Sequence, residues 1–187
     1  MGQFTFNKTG IEGVFTIEPK VFGDERGYFM ETYNKADFEK AGIFCEVVQD
    51  NQSMSRKSVL RGLHFQKAYP QAKLVRVITG EVFDVAVDLR QDSPTWGKYV
   101  GEVLSAERKN MFFIPKGFAH GFLVLSDIAE FTYKCDEQYH PEDEGGIAWD
   151  DPSIGIQWPE LDCEICLSEK DRHNAGLPKG KVELVRK

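Results

Sequence analysis

The stretch Lys73-Leu74-Val75-Arg76-Val77-Ile78-Thr79-Gly80-Glu81-Val82-Phe83-Asp84-Val85-Ala86-Val87-Asp88-Leu89 decides the fold. β-Branched residues crowd both halves, as they do where side chains pack on a pleated surface. Successive side chains of a strand point to opposite faces. Phe83, Val85, Val87 and Leu89 therefore share one face, and Val82, Asp84, Ala86 and Asp88 the other. Two such runs around Thr79-Gly80-Glu81 predict a hairpin. Working outward, short apolar or aromatic strands are predicted at 28–33, 99–104, 111–114, 121–125 and 130–135, separated by Gly, Pro, Asp and Ser. Short strands at this spacing predict an all-β sandwich or barrel. One helix stands out, at 35–41, with Asn34 as its N-cap and Gly42 as its stop. It is short, so helices should be few and peripheral.

At 187 residues, with 41% hydrophobic and 28% charged residues, the chain fits one globular domain spanning 1–187. Its formal net charge of −7 argues against a nucleic-acid partner. The charge is uneven, however. Between Asn51 and Gly80 there is no acid, while Arg56, Lys57, Arg61, Lys67, Lys73 and Arg76 all fall there, a pattern that suits a small anion but on charge alone reads first as a solvated basic face. The first residues lack the long apolar run of a signal peptide, and no stretch approaches a membrane span. The four cysteines show no disulfide framework, which points to a reduced, cytoplasmic setting. The Gly-, Pro- and Lys-rich end, 172–187, is expected to be loosely held.

Of the four histidines, His64 and His120 sit beside glycines in strand-forming sequence. In Ile114-Pro115-Lys116-Gly117-Phe118-Ala119-His120, proline and glycine shape a turn that aims the histidine from the start of the next strand. This Pro-x-Gly-x-x-His pattern is similar to the second motif of cupins, small double-stranded β-helix jelly rolls. In metal-binding cupins an earlier His-x-His and a glutamate complete a converging donor set. Here His64 is followed by Phe65, Gln66 and Lys67, so a cupin with neither metal nor other cofactor is expected, a nickel or iron site being the alternative. In Leu60-Arg61-Gly62-Leu63-His64, a guanidinium suited to phosphate lies close to the imidazole. Regular alternation would put Arg61 and His64 on opposite faces, so both can line one pocket only if a bulge or turn forms near Gly62. By its neighbours alone Tyr133 reads as a core aromatic, and Cys163-x-x-Cys166 as two semi-buried thiols without a function.

Over nearly its whole length the chain resembles the dTDP-4-dehydrorhamnose 3,5-epimerase family. The resemblance runs in order through Phe22-Gly23-Asp24-Glu25-Arg26-Gly27-Tyr28-Phe29, Gln49-Asp50-Asn51, Leu60 to Gln66, Ile114 to His120 and Tyr133-Lys134. It continues through Trp149-Asp150-Asp151-Pro152, Ile156-Gln157-Trp158-Pro159 and Ser168-Glu169-Lys170-Asp171. It implies a metal-free cupin homodimer, with an exchanged N-terminal strand, that converts dTDP-4-dehydro-6-deoxy-D-glucose to dTDP-4-dehydro-L-rhamnose by inverting C3 and C5. It further implies His64 as the base, Asp171 as its dyad partner, Tyr133 as the acid on the opposite side, and Lys73 at the C4 enolate oxygen. Arg26, Glu31, Gln49, Asn51, Arg61, His120, Glu144 and Lys170 would surround the nucleotide sugar, with Tyr139 stacked on the thymine. Epimerases of one carbon only, and 3,4-ketoisomerases, share this fold and nucleotide site, but a tyrosine at the acid position favours double inversion. A sandwich that merely binds nucleotide sugars would need Arg26, Arg61 and Tyr139, but not His64, Asp171 and Tyr133 together.

Overall fold

The computed structural model describes residues 2–177. The end expected to be loosely held lies, from residue 178 on, outside the described residues. The strands, in chain order, are β1 (Phe4–Lys8), β2 (Phe15–Pro19), β3 (Phe22–Asp24), β4 (Gly27–Phe29), β5 (Gln49–Arg56), β6 (Leu60–Gln66), β7 (Lys73–Thr79), β8 (Glu81–Asp88), β9 (Tyr99–Ser105), β10 (Met111–Ile114), β11 (Phe118–Val124), β12 (Ile128–Cys135) and β13 (Glu144–Gly146). The helices are α1 (Lys35–Lys40) and α2 (Glu169–Arg172). A six-stranded sheet in the order β1-β2-β10-β7-β12-β5 faces a five-stranded one, β13-β6-β11-β8-β9, and the β3-β4 hairpin stands apart. This is an all-β, cupin-type jelly roll.

The stretch from Lys73 to Leu89 does form two strands, but they are not a hairpin. β7 pairs with β10 and β12 in one sheet, whereas β8 pairs with β11 and β9 in the other. Alternation determines which side chains share a face and carries no information about the pairing partner. The chain crosses between sheets at Gly80, where φ is 78° and an added Cβ would lie 2.0 Å from the Ile128 carbonyl oxygen. Only glycine fits such a corner. A second correction concerns residues 28–33, where only Gly27–Phe29 is strand.

The five-stranded sheet is packed on both faces, so β11 is buried along its whole length, whereas the outer face of the six-stranded sheet stays partly open around Gln52, Arg76 and Ile78. Between the sheets, Val75, Val77, Val82, Ala86, Phe112, Phe122 and Phe131 form the main core. Each fully buried side chain of the size of Phe112 or Phe131 contributes about 1.5–3 kcal/mol. The Val85, Val87 and Leu89 face instead packs outward with Leu63, Ile147 and Ile154, under a cover that includes Ile156 and Trp158. On the outer side of the six-stranded sheet, α1 closes a third cluster through Phe38, which is 1% exposed and ringed by Phe4, Phe6 and Tyr33. The caps of α1 are the expected ones: the Asn34 side chain accepts from the Asp37 N–H at 3.3 Å, and Gly42 follows at φ 84°. Among the described residues no helix is long and apolar enough to cross a membrane.

Candidate active site

Towards one end of the space between the sheets the lining turns polar. Two adjoining cavities open there, one of about 450 Å³ and one of about 260 Å³. His64, Lys73 and Tyr133 line both. His64 comes from β6 of the five-stranded sheet, and Tyr133 and Lys73 come from β12 and β7 of the six-stranded sheet. The imidazole and the phenol thus belong to opposing walls.

Of the bulge or turn that the sequence requires, the structure has a bulge. His120 pairs with His64 and Phe122 with Arg61, so three residue steps on β6 match two on β11. The extra residue returns Arg61 and His64 to one side, and both line the larger cavity. Gly62 makes this possible: its φ is 125°, and a Cβ there would stand 2.5 Å from the Gly121 Cα. The Arg61 guanidinium is steadied by its Nε–H, which donates to Ser55 Oγ at 2.9 Å.

Asp171 reaches His64 from α2. Its Oδ1 is 2.5 Å from Nε2 of the imidazole, and the carboxylate is 4% exposed. Ser168 fixes this short helix by accepting the Asp171 N–H at 3.1 Å. Burial pushes the Asp171 carboxyl up, but its bonds to His64 and Ser168 outweigh that and hold it below the usual carboxylate range. With Nε2–H donated to the carboxylate, Nδ1 carries the lone pair that can take a proton. Nδ1 lies 3.7 Å from Glu144 Oε1. Glu144 in turn accepts from the Tyr139 hydroxyl at 2.8 Å and from Lys170. His64, Asp171, Glu144, Lys170 and Tyr139 are therefore one contiguous network.

Lys73, Val75 and Val77 share the inward face of β7, and Cys135 of β12 pairs with Lys73. Burial pulls the Lys73 ammonium below the ordinary lysine range, against the raising influence of Cys135, Asp84 and Glu144. Burial likewise raises the Tyr133 phenol, so Tyr133 keeps its proton at neutral pH. Asn51 stands directly across the β5–β12 ladder from Tyr133, and the Gln49 side chain donates to it at 2.9 Å.

One participant escaped the sequence reading. Asp84, fully buried on β8, receives Nε2 of His120 at 3.0 Å on each carboxylate oxygen. Burial drives both towards neutrality, raising the carboxyl and lowering the imidazole. The signal was available: an acid alternating with Val82 and Ala86 in an apolar strand must be paired to be tolerated. Two other expectations are not met within the single chain. Arg26 sits at the tip of the β3-β4 hairpin, 85% exposed and paired with Asp24 at 2.5 Å. Glu31 accepts from the Asn34 side chain at 3.2 Å. Neither lines the cavities.

The basic stretch also divides. Arg61 and Lys73 face the cavities, whereas Lys57 pairs with Asp162 at 2.9 Å and Arg76 lies on the outer face of its sheet. Alternation disperses a run of charges that looks continuous in sequence. Among the described residues no cluster of three or more His, Cys, Asp or Glu could hold a metal ion.

A carboxylate-backed histidine on one sheet, facing a protonated tyrosine and a half-buried lysine on the other, suits a cupin-type isomerase that works by proton transfer. The comparisons make the assignment specific. Residues 8–179 match the family model described as dTDP-4-dehydrorhamnose 3,5-epimerase, and the chain belongs to that family. It is 57% identical to the dTDP-4-dehydrorhamnose 3,5-epimerase of Methanothermobacter thermautotrophicus, over 98% of this chain and 100% of the relative. To the Shigella flexneri enzyme of the same name it is 58% identical, over 88% and 91% of the two chains. In structure it is similar to a dTDP-6-deoxy-D-glucose-3,5-epimerase from Legionella pneumophila Philadelphia 1 in complex with dTDP-4-keto-L-rhamnose. That likeness has a TM-score of 0.90, with 50% identity and 92% of each chain covered.

Proposed function

We propose that this protein inverts C3 and C5 of dTDP-4-dehydro-6-deoxy-D-glucose to give dTDP-4-dehydro-L-rhamnose, as an isomerase of dTDP-L-rhamnose synthesis. The observation that carries the reading is the pair of opposed walls, with His64 on one sheet and Tyr133 on the other. C3 and C5 flank the C4 ketone, so loss of either proton leaves an enolate whose charge rests on the ketone oxygen. His64 Nδ1 takes the proton, and Asp171 holds the resulting imidazolium. Lys73 meets the enolate oxygen, a contribution on the order of 3 kcal/mol for one well-placed donor. Tyr133 returns a proton to the other face of the carbon, which inverts it. Arg61 and Lys170 fit the diphosphate and Tyr139 the thymine, with Gln49, Asn51 and Glu144 around the nucleotide sugar. His120, held by Asp84, closes the sugar end.

The reading is tested by incubating the protein with dTDP-4-dehydro-6-deoxy-D-glucose in D2O and following the sugar by proton NMR. Deuterium with inversion at both carbons is expected. Exchange at one carbon alone moves the protein to a mono-epimerase, and exchange at neither overturns the proposal.

The active form is a homodimer in which each copy completes the other's site. Phe22, Tyr28 and Phe29 of the β3-β4 hairpin are exposed, a concentration of aromatic surface that a lone soluble chain does not favour. The hairpin carries Arg26 away from its own cavities, and a second copy gives that guanidinium a diphosphate to meet. Arg26→Ala is expected to raise KM about tenfold, the scale of one exposed charge-assisted contact. Mixing it with His64→Asn, both inactive or impaired alone, should restore turnover through hybrid dimers carrying one intact site. No restoration from stable hybrids would count against a shared site. Free, exposed cysteines fit a cytoplasmic location.

A further inference from the structure

Cys163-x-x-Cys166 has no part in the chemistry above. Contrary to the semi-buried thiols expected, both cysteines are exposed. They head the segment that ends in Asp171. Cys166 is tied to the start of β6 by two backbone bonds, Leu60 N–H to its carbonyl and its own N–H to Ser58, each 2.9 Å. This makes a single parallel bridge with Val59, and Cys166 also lines the larger cavity. Beyond it come Leu167, the Ser168 cap and Asp171, whose contact with His64 is 2.5 Å.

We propose that Cys163 and Cys166 form a reversible disulfide with low-molecular-weight disulfides, and that closing it draws Asp171 off His64. One thiolate attacks the small disulfide and releases one thiolate of it. The second cysteine then attacks the mixed disulfide and releases the other, so the protein loses two electrons and two protons, and the reagent is reduced to two thiols. A disulfide needs its Cα atoms about 4.4–6.8 Å apart. Cys166 is held on β6 by its bonds to Ser58 and Leu60, so drawing it towards Cys163 loads those bonds. The shift passes along Leu167 and Ser168 to Asp171, and a displacement of about 1 Å in a catalytic group costs about 100-fold in rate. The reagent selects this pair by access. Cys45 and Cys135 are buried, with thiols pushed up to about 12 and about 11, leaving almost no thiolate.

The inference rests on His64 and Asp171 acting as the dyad. Its test treats the full chain with oxidised glutathione and reads intact mass, the linked peptide, deuterium exchange at both sugar carbons, and the His64 ring resonances. The expected result is a mass lower by two hydrogens, a bridge between Cys163 and Cys166, shifted His64 resonances, and a 10- to 100-fold fall in exchange at both carbons. Dithiothreitol should reverse all four. Cys163→Ser should keep full activity in both conditions. A bridged protein with unchanged exchange and unchanged His64 resonances would overturn the proposal, as would glutathione adducts without an internal bridge, or a Cys163→Ser variant equally inhibited. If the reduced protein shows no exchange, the epimerase reading fails, while the mass and the His64 resonances still decide whether the bridge forms and moves the dyad.

Discussion

Replacing His64 by asparagine is expected to lower deuterium exchange at C3 and at C5 together, by about 10³-fold or more. General bases contribute about 10²–10⁴ in rate, and in the proposed mechanism one base serves both carbons. Asparagine is close in size and can donate to Asp171, so the buried carboxylate keeps a partner and the fold should be undisturbed. A loss confined to one carbon would require a second base, for which the other imidazole of the site is His120. Its Nε2 is already committed to Asp84. Measurement of exchange by NMR in the purified variant, beside its denaturation midpoint, separates catalysis from folding. Unaltered turnover would remove His64 from the mechanism.

Lys73→Met should have the next largest effect, and of opposite sign for activity and stability. Methionine keeps the length and bulk of the side chain but has no charge for the enolate oxygen, so kcat should fall about 10²- to 10³-fold. Burial lowers the Lys73 pKa in the folded protein. Between that lowered value and the unfolded value of about 10.4, the unfolded chain binds the extra proton, so stability rises with pH across that window and the charged lysine opposes folding below it. Lys73→Met should therefore unfold at higher urea than the parent at pH 7. The same shift places the alkaline loss of activity below the range of an ordinary lysine. A variant that is both less active and less stable would indicate that Lys73 serves packing instead.

Much of this could be read in the sequence, though unevenly. Alternation located most strands and correctly divided the faces of β8, because side-chain period depends only on the strand itself. It failed at Gly80, where the question was which sheet each strand joins, a matter of contacts far along the chain. The need for a bulge or turn between Arg61 and His64 was visible as a conflict of parity, and the β6–β11 register resolves it as a bulge at Gly62. Asp171 could be joined to His64 only through family resemblance, since nothing local links a four-residue helix near the end of the chain to β6. Asp84 was visible as an acid in an apolar strand, but its partner His120 lies on the neighbouring strand and emerges only with the pairing. Arg26 and Glu31 were named by the same resemblance, yet a single chain leaves them outside the cavity. Under the proposed dimer, Arg26 would meet its site only in a second copy, which one chain does not contain.

The opposed walls are tested most directly by Tyr133→Phe in D2O under single-turnover conditions, with exchange and configuration followed at each carbon by NMR. Removing only the hydroxyl leaves His64, Asp171 and Lys73 intact. Deuterium should still enter next to the ketone, while inversion falls at least tenfold relative to exchange. Equal loss of exchange and inversion, or undiminished inversion, would contradict a base and an acid acting from opposite faces of the sugar.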